Sequence, residues 1–178
     1  MRKTIALMFT SAALAAFTTV SAQTEKSSAA PTDPQIAMIA VTADTVDINA
    51  GKLAAEKSSN PKVKEFAELM VRDHTSVNNQ ATALAKKLNV TPEASATSRK
   101  LNSDGEKMIA KLKKLSGAEF DKAYIDNEVS YHEAVIAVVG NTLIPNTKNP
   151  ELKSLLESAA PIFQSHLDHA KEVQTSLR

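Results

Sequence analysis

Apolar side chains recur at intervals of three and four residues from residue 34 onward, which is the periodicity of amphipathic helices. The clearest stripe spans residues 61–89 and comprises Val63, Phe66, Met70, Val77, Ala81, Leu84 and Leu88. Comparable stripes occupy residues 34–58, 118–144 and 150–177, and a weaker one, softened by Gly105, occupies residues 92–115. No run of alternating β-branched residues indicates a strand, so the sequence predicts an all-α fold.

Most of these helices are preceded by a short polar residue that is directly followed by proline. The pairs are Asp33–Pro34, Asn60–Pro61, Thr91–Pro92 and Asn149–Pro150. A polar N-cap side chain accepts hydrogen bonds from the first free N–H groups, and proline at the first helical position has no N–H to satisfy. Ser116 and Glu119 have the spacing of a capping box, which predicts a fifth helix start.

The lengths of the stripes indicate how the helices pack. Four of them run for about 25 to 28 residues, which corresponds to about 40 Å at helical rise. Long antiparallel helices joined by short turns form four-helix bundles, and the 92–115 segment suits a crossover between two hairpins. We therefore predict a ferritin-like antiparallel four-helix bundle with an extra helical crossover segment over residues 34–178. Pro161 predicts a kink or a weakened turn in the last helix.

The first 22 residues have the features of a cleavable signal peptide. Arg2 and Lys3 precede an apolar run without acidic residues, and small residues before Gln23 predict cleavage after Ala22. Residues 23–33 are small and polar, which is typical of a linker. The apolar run is barely long enough to span a bilayer, so we expect a periplasmic or secreted protein with no integral membrane anchor after cleavage.

Charge and cysteine content narrow the classes of partner. Removal of residues 1–22 leaves 19 basic and 20 acidic residues. Nucleic-acid binding requires a basic surface, so this balance predicts no nucleic-acid partner. The chain contains no cysteine, so the exported domain has no disulfide framework and depends on its apolar core for stability.

Four polar residues interrupt the apolar stripes near the middle of the long helices. They are Asp47, His74, His132 and His166. Each lies within about three residues of its helix midpoint, or about 4 Å in height, and mid-height is the same level whichever way a helix runs. Imidazole and carboxylate groups bind Zn²⁺, Fe²⁺ or Mn²⁺, so the four residues are a candidate site for one divalent transition metal ion.

Neighbouring polar residues are candidates for a supporting shell around this site. They are Asp44, Asp73, Glu128 and His169. A carboxylate one helical turn away, or adjacent in sequence, can hold an imidazole in one orientation by accepting a hydrogen bond from its second nitrogen. His166 and His169 also have the spacing of a helical pair that binds metal adventitiously.

The ligand pattern of ferritin-like di-iron proteins is absent from the sequence. Those proteins use Glu-x-x-His motifs, but the residues three before His74, His132 and His166 are Val71, Val129 and Phe163. One mononuclear site remains open as an interpretation. So do two others: ordinary buried histidines that hydrogen-bond across the bundle, and a cluster that senses protons near neutral pH.

Three segments resemble a known family. "GKLAAEKSSNPKVKEFAELMVRDHTSVNN", "GAEFDKAYIDNEVSYHEAVI" and "PIFQSHLDHAKEV" are similar to the bacterial exported domain-of-unknown-function family 4142, over roughly Pro34 to Arg178. The resemblance implies a ferritin-like helix bundle and export from the cytoplasm, but it implies no activity.

The favoured interpretation is an exported helix-bundle protein with a non-catalytic binding or stress-related accessory role. No residue is assigned to catalysis, because the sequence has neither a nucleophile elbow nor a phosphate-binding loop. Two alternatives remain: a mononuclear metal-binding protein that uses the His/Asp cluster, and a protein that binds a small apolar ligand or a partner helix.

Overall fold

The computed structural model describes residues 30–178, and every regular element in that range is helical. The helices are α1 (Asp33–Lys57), α2 (Pro61–Lys87), α3 (Ala96–Lys113), α4 (Gly117–Val138), a π-helical turn (Val139–Leu143), the short α5 (Ile144–Asn146) and α6 (Pro150–Ser176). The predicted all-α fold is confirmed. The predicted signal peptide, residues 1–22, and most of the linker, residues 23–33, lie outside the described residues.

Two of the predicted proline-based helix starts have the expected N-cap. The Asn60 side chain accepts hydrogen bonds from the backbone N–H groups of Lys62 and Val63 at the start of α2. Asn149 does the same for Glu151 and Leu152 at the start of α6. Each amide oxygen thus satisfies two N–H groups that have no partner within the helix.

Other predicted helix starts were wrong in detail. The first helix is capped one residue earlier, at Thr32, which forms a reciprocal capping box with Gln35. The α3 helix begins at Ala96 with Ser95 as its cap, several residues after the predicted Thr91–Pro92 start. The intervening loop is held in place because the Glu93 N–H donates to the carbonyl of Pro34 at the start of α1.

Two further expectations about helix ends and kinks differ from the structure. Ser116 is the N-cap of α4, but its side chain makes no capping hydrogen bond, so the predicted capping box with Glu119 does not form. The α6 helix continues through Pro161 without interruption. Pro161 and Glu157 both lie on the exposed face of α6, where water can satisfy the carbonyl that proline leaves unpaired.

Contacts between helix ends define the topology. The buried Ser58 hydroxyl, at the end of α1, donates to the carboxylate of Asp121 in the first turn of α4 (2.6 Å). At the opposite end, the Asp33 carboxylate accepts from the backbone N–H groups of Lys148 and Asn149, each at 2.8 Å. The α1 and α6 helices therefore run in one direction, and α2 and α4 run in the other.

The α3 helix is the crossover between the two hairpins. It runs alongside α1, and the Lys57 ammonium at the end of α1 donates to the carbonyl of Lys113 at the end of α3 (2.7 Å). Gly105 allows the two helices to approach closely, because a Cβ atom there would lie only 2.8 Å from both methyl groups of Val46. The topology is therefore that of the predicted ferritin-like bundle with a helical crossover.

The buried apolar core forms two clusters at opposite ends of the bundle. The aromatic half comprises Ala50, Ala54, Val63, Phe66, Ala67, Met70, Leu112, Phe120, Tyr124, Ile125, Ala170 and Val173. The aliphatic half comprises Ile36, Ile39, Val77, Val135, Val139, Leu143, Leu152, Leu156, Ala159 and Phe163. On each of α1, α2, α4 and α6, the polar residues singled out above fall between the two clusters. None of the described helices combines the length and the apolar character needed to cross a membrane.

Candidate metal centre

A layer of buried polar side chains separates the two halves of the core. It is formed by Asp44, Asp47, His74, Glu128, His132 and His166, each at most 2% exposed. The residues come from α1, α2, α4 and α6, so all four bundle helices contribute at one level. Asp47, His74, His132 and His166 are the four residues that the sequence predicted would meet.

The three imidazole rings form a nearly equilateral triangle. Ring centroids are separated by 5.6 Å between His74 and His132, by 5.2 Å between His74 and His166, and by 5.5 Å between His132 and His166. One ring nitrogen of each histidine lies within 4.8 Å of those of the other two. The triangle is therefore small enough for the three rings to share one ligand.

One nitrogen of each ring is held by an acceptor. The Nδ1 atom of His74 donates to Asp44 Oδ1 (2.8 Å), and the Nδ1 atom of His132 donates to the backbone carbonyl of Glu128 (3.0 Å). The Nε2 atom of His166 donates to Asp73 Oδ2 (3.1 Å). These contacts orient the rings and leave the second nitrogen of each free of its proton when the ring is neutral.

The other nitrogens have no hydrogen-bond partner. They are His74 Nε2, His132 Nε2 and His166 Nδ1, and both carboxylate oxygens of Asp47 are also without one. Asp47 Oδ2 lies 3.1 Å from His74 Nε2 and 3.5 Å from His132 Nε2, which are ion-pair distances when the ring is protonated, although neither contact has the alignment of a hydrogen bond. A buried polar atom that lacks a partner costs about 1–3 kcal/mol, so a group of them indicates that something else satisfies these atoms.

The distances between these nitrogen and oxygen atoms suit a metal ion. A tetrahedral ion with bonds of about 2.1 Å holds its ligand atoms about 3.4 Å apart. The two distances from Asp47 Oδ2, 3.1 Å and 3.5 Å, already bracket that value. Each of the three histidines offers one nitrogen within 4.8 Å of those of the other two, so a bound ion would draw the rings closer together.

The histidines differ in protonation because their surroundings differ. Burial alone would lower the pKa of His74, but the charge of Asp47 and the hydrogen bond with Asp44 outweigh it and raise the pKa to about 10. Burial lowers the pKa of His166 to about 4, against its hydrogen bond with Asp73, and burial also lowers the pKa of His132. At neutral pH two imidazoles are therefore already neutral, and His74 carries a proton next to Asp47.

The two buried carboxyl groups nearest the rings also differ from each other. Burial would raise the pKa of Asp47, but the nearby charge of His74 outweighs it and lowers the pKa, so Asp47 is ionised. Burial and the charge of Asp47 raise the pKa of Glu128 well above its ordinary value, which makes Glu128 a neutral acid. Its Oε2 atom lies 3.7 Å from His132 Nδ1 and has no hydrogen-bond partner.

The predicted supporting residues are only partly where the sequence placed them. Asp44 and Asp73 each accept a hydrogen bond from a cluster histidine, whereas Glu128 accepts one through its backbone carbonyl and not through its carboxylate. His169 does not reach the cluster, because it is half-buried and its ring packs edge-on against Phe66 in the aromatic half (5.3 Å). One helical turn beyond His166, α6 has already passed from the polar layer into the aromatic half.

Sequence reasoning missed one contact of the cluster. Phe163 stacks on His74 in an offset parallel arrangement, with ring centroids 5.3 Å apart and planes at 5°. Phe163 lies three residues before His166, so the α6 spacing placed it on the same face, but its partner on α2 is defined only by the packed structure. The stacked ring covers one side of His74 and excludes water from it.

Comparison with known proteins supports the fold and identifies the family. The fold is similar to the solved structure of CopM in the Cu(II)-bound form, with a TM-score of 0.66 and 15% sequence identity, covering 84% of this chain and 100% of that chain. At this identity the similarity concerns the fold alone. No curated protein matches the sequence. The family model described as a domain of unknown function (DUF4142) matches residues 18–173, which confirms the resemblance: the chain belongs to the DUF4142 family.

Proposed function

We propose that this protein binds one divalent transition metal ion in its core through Asp47, His74, His132 and His166. The observation that carries the proposal is a set of buried atoms without hydrogen-bond partners. His74, His132 and His166 offer ligand nitrogens within 4.8 Å of one another, and Asp47 forms a second group of the same size with His132 and Glu128. Coordination to one ion would satisfy all of them together. A layer of ordinary buried histidines would instead pair both nitrogens of each ring.

The supporting hydrogen bonds also favour a metal site. In protein metal sites, a histidine ligand almost always donates its second N–H to a carboxylate or a backbone carbonyl. Asp44, Asp73 and the Glu128 carbonyl provide one such acceptor for each of the three rings. Each contact orients the partnerless nitrogen of its ring, and the three acceptors come from three different helices.

The ligand set narrows the choice of ion. Three imidazoles and one carboxylate suit Zn²⁺, Fe²⁺ and Cu²⁺ and accept Mn²⁺ less tightly. The Cu(II)-bound state of the structurally similar CopM supports including Cu²⁺ among the ions tested. For a fixed set of nitrogen and oxygen ligands, affinity follows the Irving–Williams order, so we expect Cu²⁺ to displace Zn²⁺ in vitro.

The role that this site favours is binding rather than catalysis. Four protein ligands complete a tetrahedral coordination sphere, and catalytic zinc sites usually keep a position open for water or substrate. The residues are at most 2% exposed, so the ion would be enclosed by the bundle. With the signal sequence of residues 1–22, we propose an accessory protein that holds metal in the periplasm or outside the cell.

Metal analysis of purified protein tests this proposal. Wild-type protein is loaded with Zn²⁺ or Cu²⁺, dialysed, and measured by elemental analysis beside His132→Ala, His166→Ala and His169→Ala. The chain has four histidines, and His169 is the one outside the cluster, so His169→Ala is a matched control. We expect one equivalent in the wild type and the control, and none in the two cluster variants.

Two further readouts separate lost ligands from lost folding. Circular dichroism reports whether each variant is helical, and the electron paramagnetic resonance spectrum of the Cu²⁺ form reports the number of nitrogen ligands. Substoichiometric metal in folded wild-type protein, or equal loss in His169→Ala and His132→Ala, would contradict the proposal.

A further inference from the structure

The aliphatic half of the bundle contains a cavity of about 110 Å³ that is partly open to solvent. It is bounded by all four bundle helices and by Thr97 and Leu101 of the crossover helix α3. Its surface is almost entirely apolar. At one end, the cavity is bordered by the rings of His74, His132 and Phe163, so it adjoins the polar layer directly.

Small side chains make up much of the lining of the cavity. Six alanines line it: Ala37, Ala40, Ala43, Ala81, Ala134 and Ala159. They come from α1, α2, α4 and α6. Val139 and Leu143, at the two ends of the π-helical turn, line the same space. Such π-helical turns occur frequently at functional sites.

The apolar lining determines which kind of molecule the cavity can bind. A buried water molecule needs two to four polar partners, and an apolar cavity of similar size, engineered into another protein at about 150 Å³, stays dry and binds benzene or xenon. A charged or strongly polar molecule would lose its hydration without compensation. The volume matches one small molecule.

We propose that this cavity binds one small uncharged apolar molecule of about the size of benzene. The bound molecule would contact the alanine methyl groups and the side chains of Leu152 and Leu156, and would reach the carbon atoms of the His74 and His132 rings. The proposal does not require that a metal ion is bound, because the cavity lies on one side of the polar layer.

Titration of metal-free, full-length mature protein with benzene, followed by methyl NMR, tests the proposal. Saturable shifts are expected for methyl groups that line the cavity, including those of Leu156 and Val135, and not for Leu112 in the aromatic half. Pressurisation with xenon provides a second probe of the same space. The metal-free sample makes this result independent of the metal proposal.

Two matched variants decide whether the cavity is the binding site. Ala159→Leu adds a side chain inside the cavity, whereas Ala83→Leu makes the same change at an exposed position of α2. We expect saturable binding to be lost in Ala159→Leu and retained in Ala83→Leu. Equal binding by the two variants, or no saturable shift in the wild type, would overturn the proposal.

A variant that enlarges the space gives an independent outcome. Leu156→Ala removes a large side chain from the cavity wall, so we expect benzene binding to persist and naphthalene to bind as well. The binding of benzene and naphthalene by Leu156→Ala shows whether the cavity is the binding site even if Ala159→Leu fails to fold. An unchanged size limit in folded Leu156→Ala would overturn the proposal.

Discussion

The two halves of this bundle use the same four helices for different purposes. In the aromatic half, the rings of Phe66 and Phe120 contact Tyr124 at 6.2 Å and 6.4 Å, and all three side chains are fully buried. In the aliphatic half, alanines from four helices line a cavity. Large rings fill space and remove apolar surface from water, whereas alanine leaves space unfilled. The comparison shows one half filled by rings and another half that contains the cavity in which we propose that a ligand binds.

The polar layer lies where these halves meet, and both halves protect it. Rings and aliphatic side chains on either side exclude water, which strengthens the electrostatic interactions among Asp47 and the histidines. The same exclusion makes each partnerless nitrogen costly. The ion pair between His74 and Asp47 offsets part of this cost, and the proposed metal ion would satisfy the remaining atoms.

The largest expected effect is the loss of stability when a buried leucine is replaced by alanine, and it should differ between the two halves. Leu112→Ala, in the aromatic half, should destabilise the protein near the upper end of the range of about 2–5 kcal/mol for buried leucines. Leu156→Ala should lie near the lower end, because this side chain already borders unfilled space. Urea unfolding followed by circular dichroism measures both. Equal losses would show that the halves are packed alike.

Replacement of a buried alanine by leucine should have opposite effects on stability in the two halves. Ala67 is fully buried in the aromatic half, so Ala67→Leu overpacks it and should cost about 1–3 kcal/mol. Ala159→Leu fills part of the cavity and should stabilise the protein by about 0.5–2 kcal/mol. Melting temperatures of the two variants, each compared with Ala83→Leu, give the sign. Destabilisation by both would contradict the described cavity.

Removal of an acceptor should weaken metal binding without removing a ligand. Asp44→Ala takes away the carboxylate that orients His74, and loss of such an acceptor typically costs about 10–100-fold in metal affinity. Asp73→Ala should cost less, because the Asp73 side chain is 26% exposed and water can replace it. Competition titration with a chromophoric chelator measures both affinities. Asp168→Ala, at an exposed position of α6, is the control.

Metal affinity should depend on pH through His74. With its pKa at about 10, His74 is protonated at neutral pH and must lose that proton to bind the ion, whereas His166, at about 4, is already neutral. Affinity should therefore rise about tenfold per pH unit between about pH 6 and 8, since one proton is released per ion. Calorimetry in buffers of different ionisation enthalpy counts that proton. A metal affinity that does not change with pH would contradict the role of His74 as a ligand that must lose a proton.

Sequence patterns predicted much of the fold because they are local. The caps at Asn60 and Asn149 were correct, since an N-cap depends on N–H groups only two and three residues away. The start of α3 was wrong, because the Glu93 N–H bonds to the Pro34 carbonyl, far away in sequence. Where a helix start depends on a distant contact, local patterns carry no information about it.

The candidate centre was predicted at the level of its four converging residues and no further. A residue on an apolar stripe faces the bundle axis, and a residue near the middle of its helix lies at mid-height. Counting along the sequence therefore predicts that Asp47, His74, His132 and His166 converge. Counting along one helix does not show which nitrogen faces which oxygen, nor that the Glu128 backbone replaces its carboxylate as acceptor. These features depend on rotamers that form only when the helices pack.

For this protein, the sequence by itself determined the all-α bundle, the level at which its histidines meet and the family to which it belongs. Only the tertiary structure decided that three ring nitrogens lack hydrogen-bond partners, that His169 packs in the aromatic half, and that six alanines line a cavity beside the histidines. The reason is physical. Periodicity reports the direction of a side chain from its own helix, whereas pairing and empty space depend on distances between atoms of different helices.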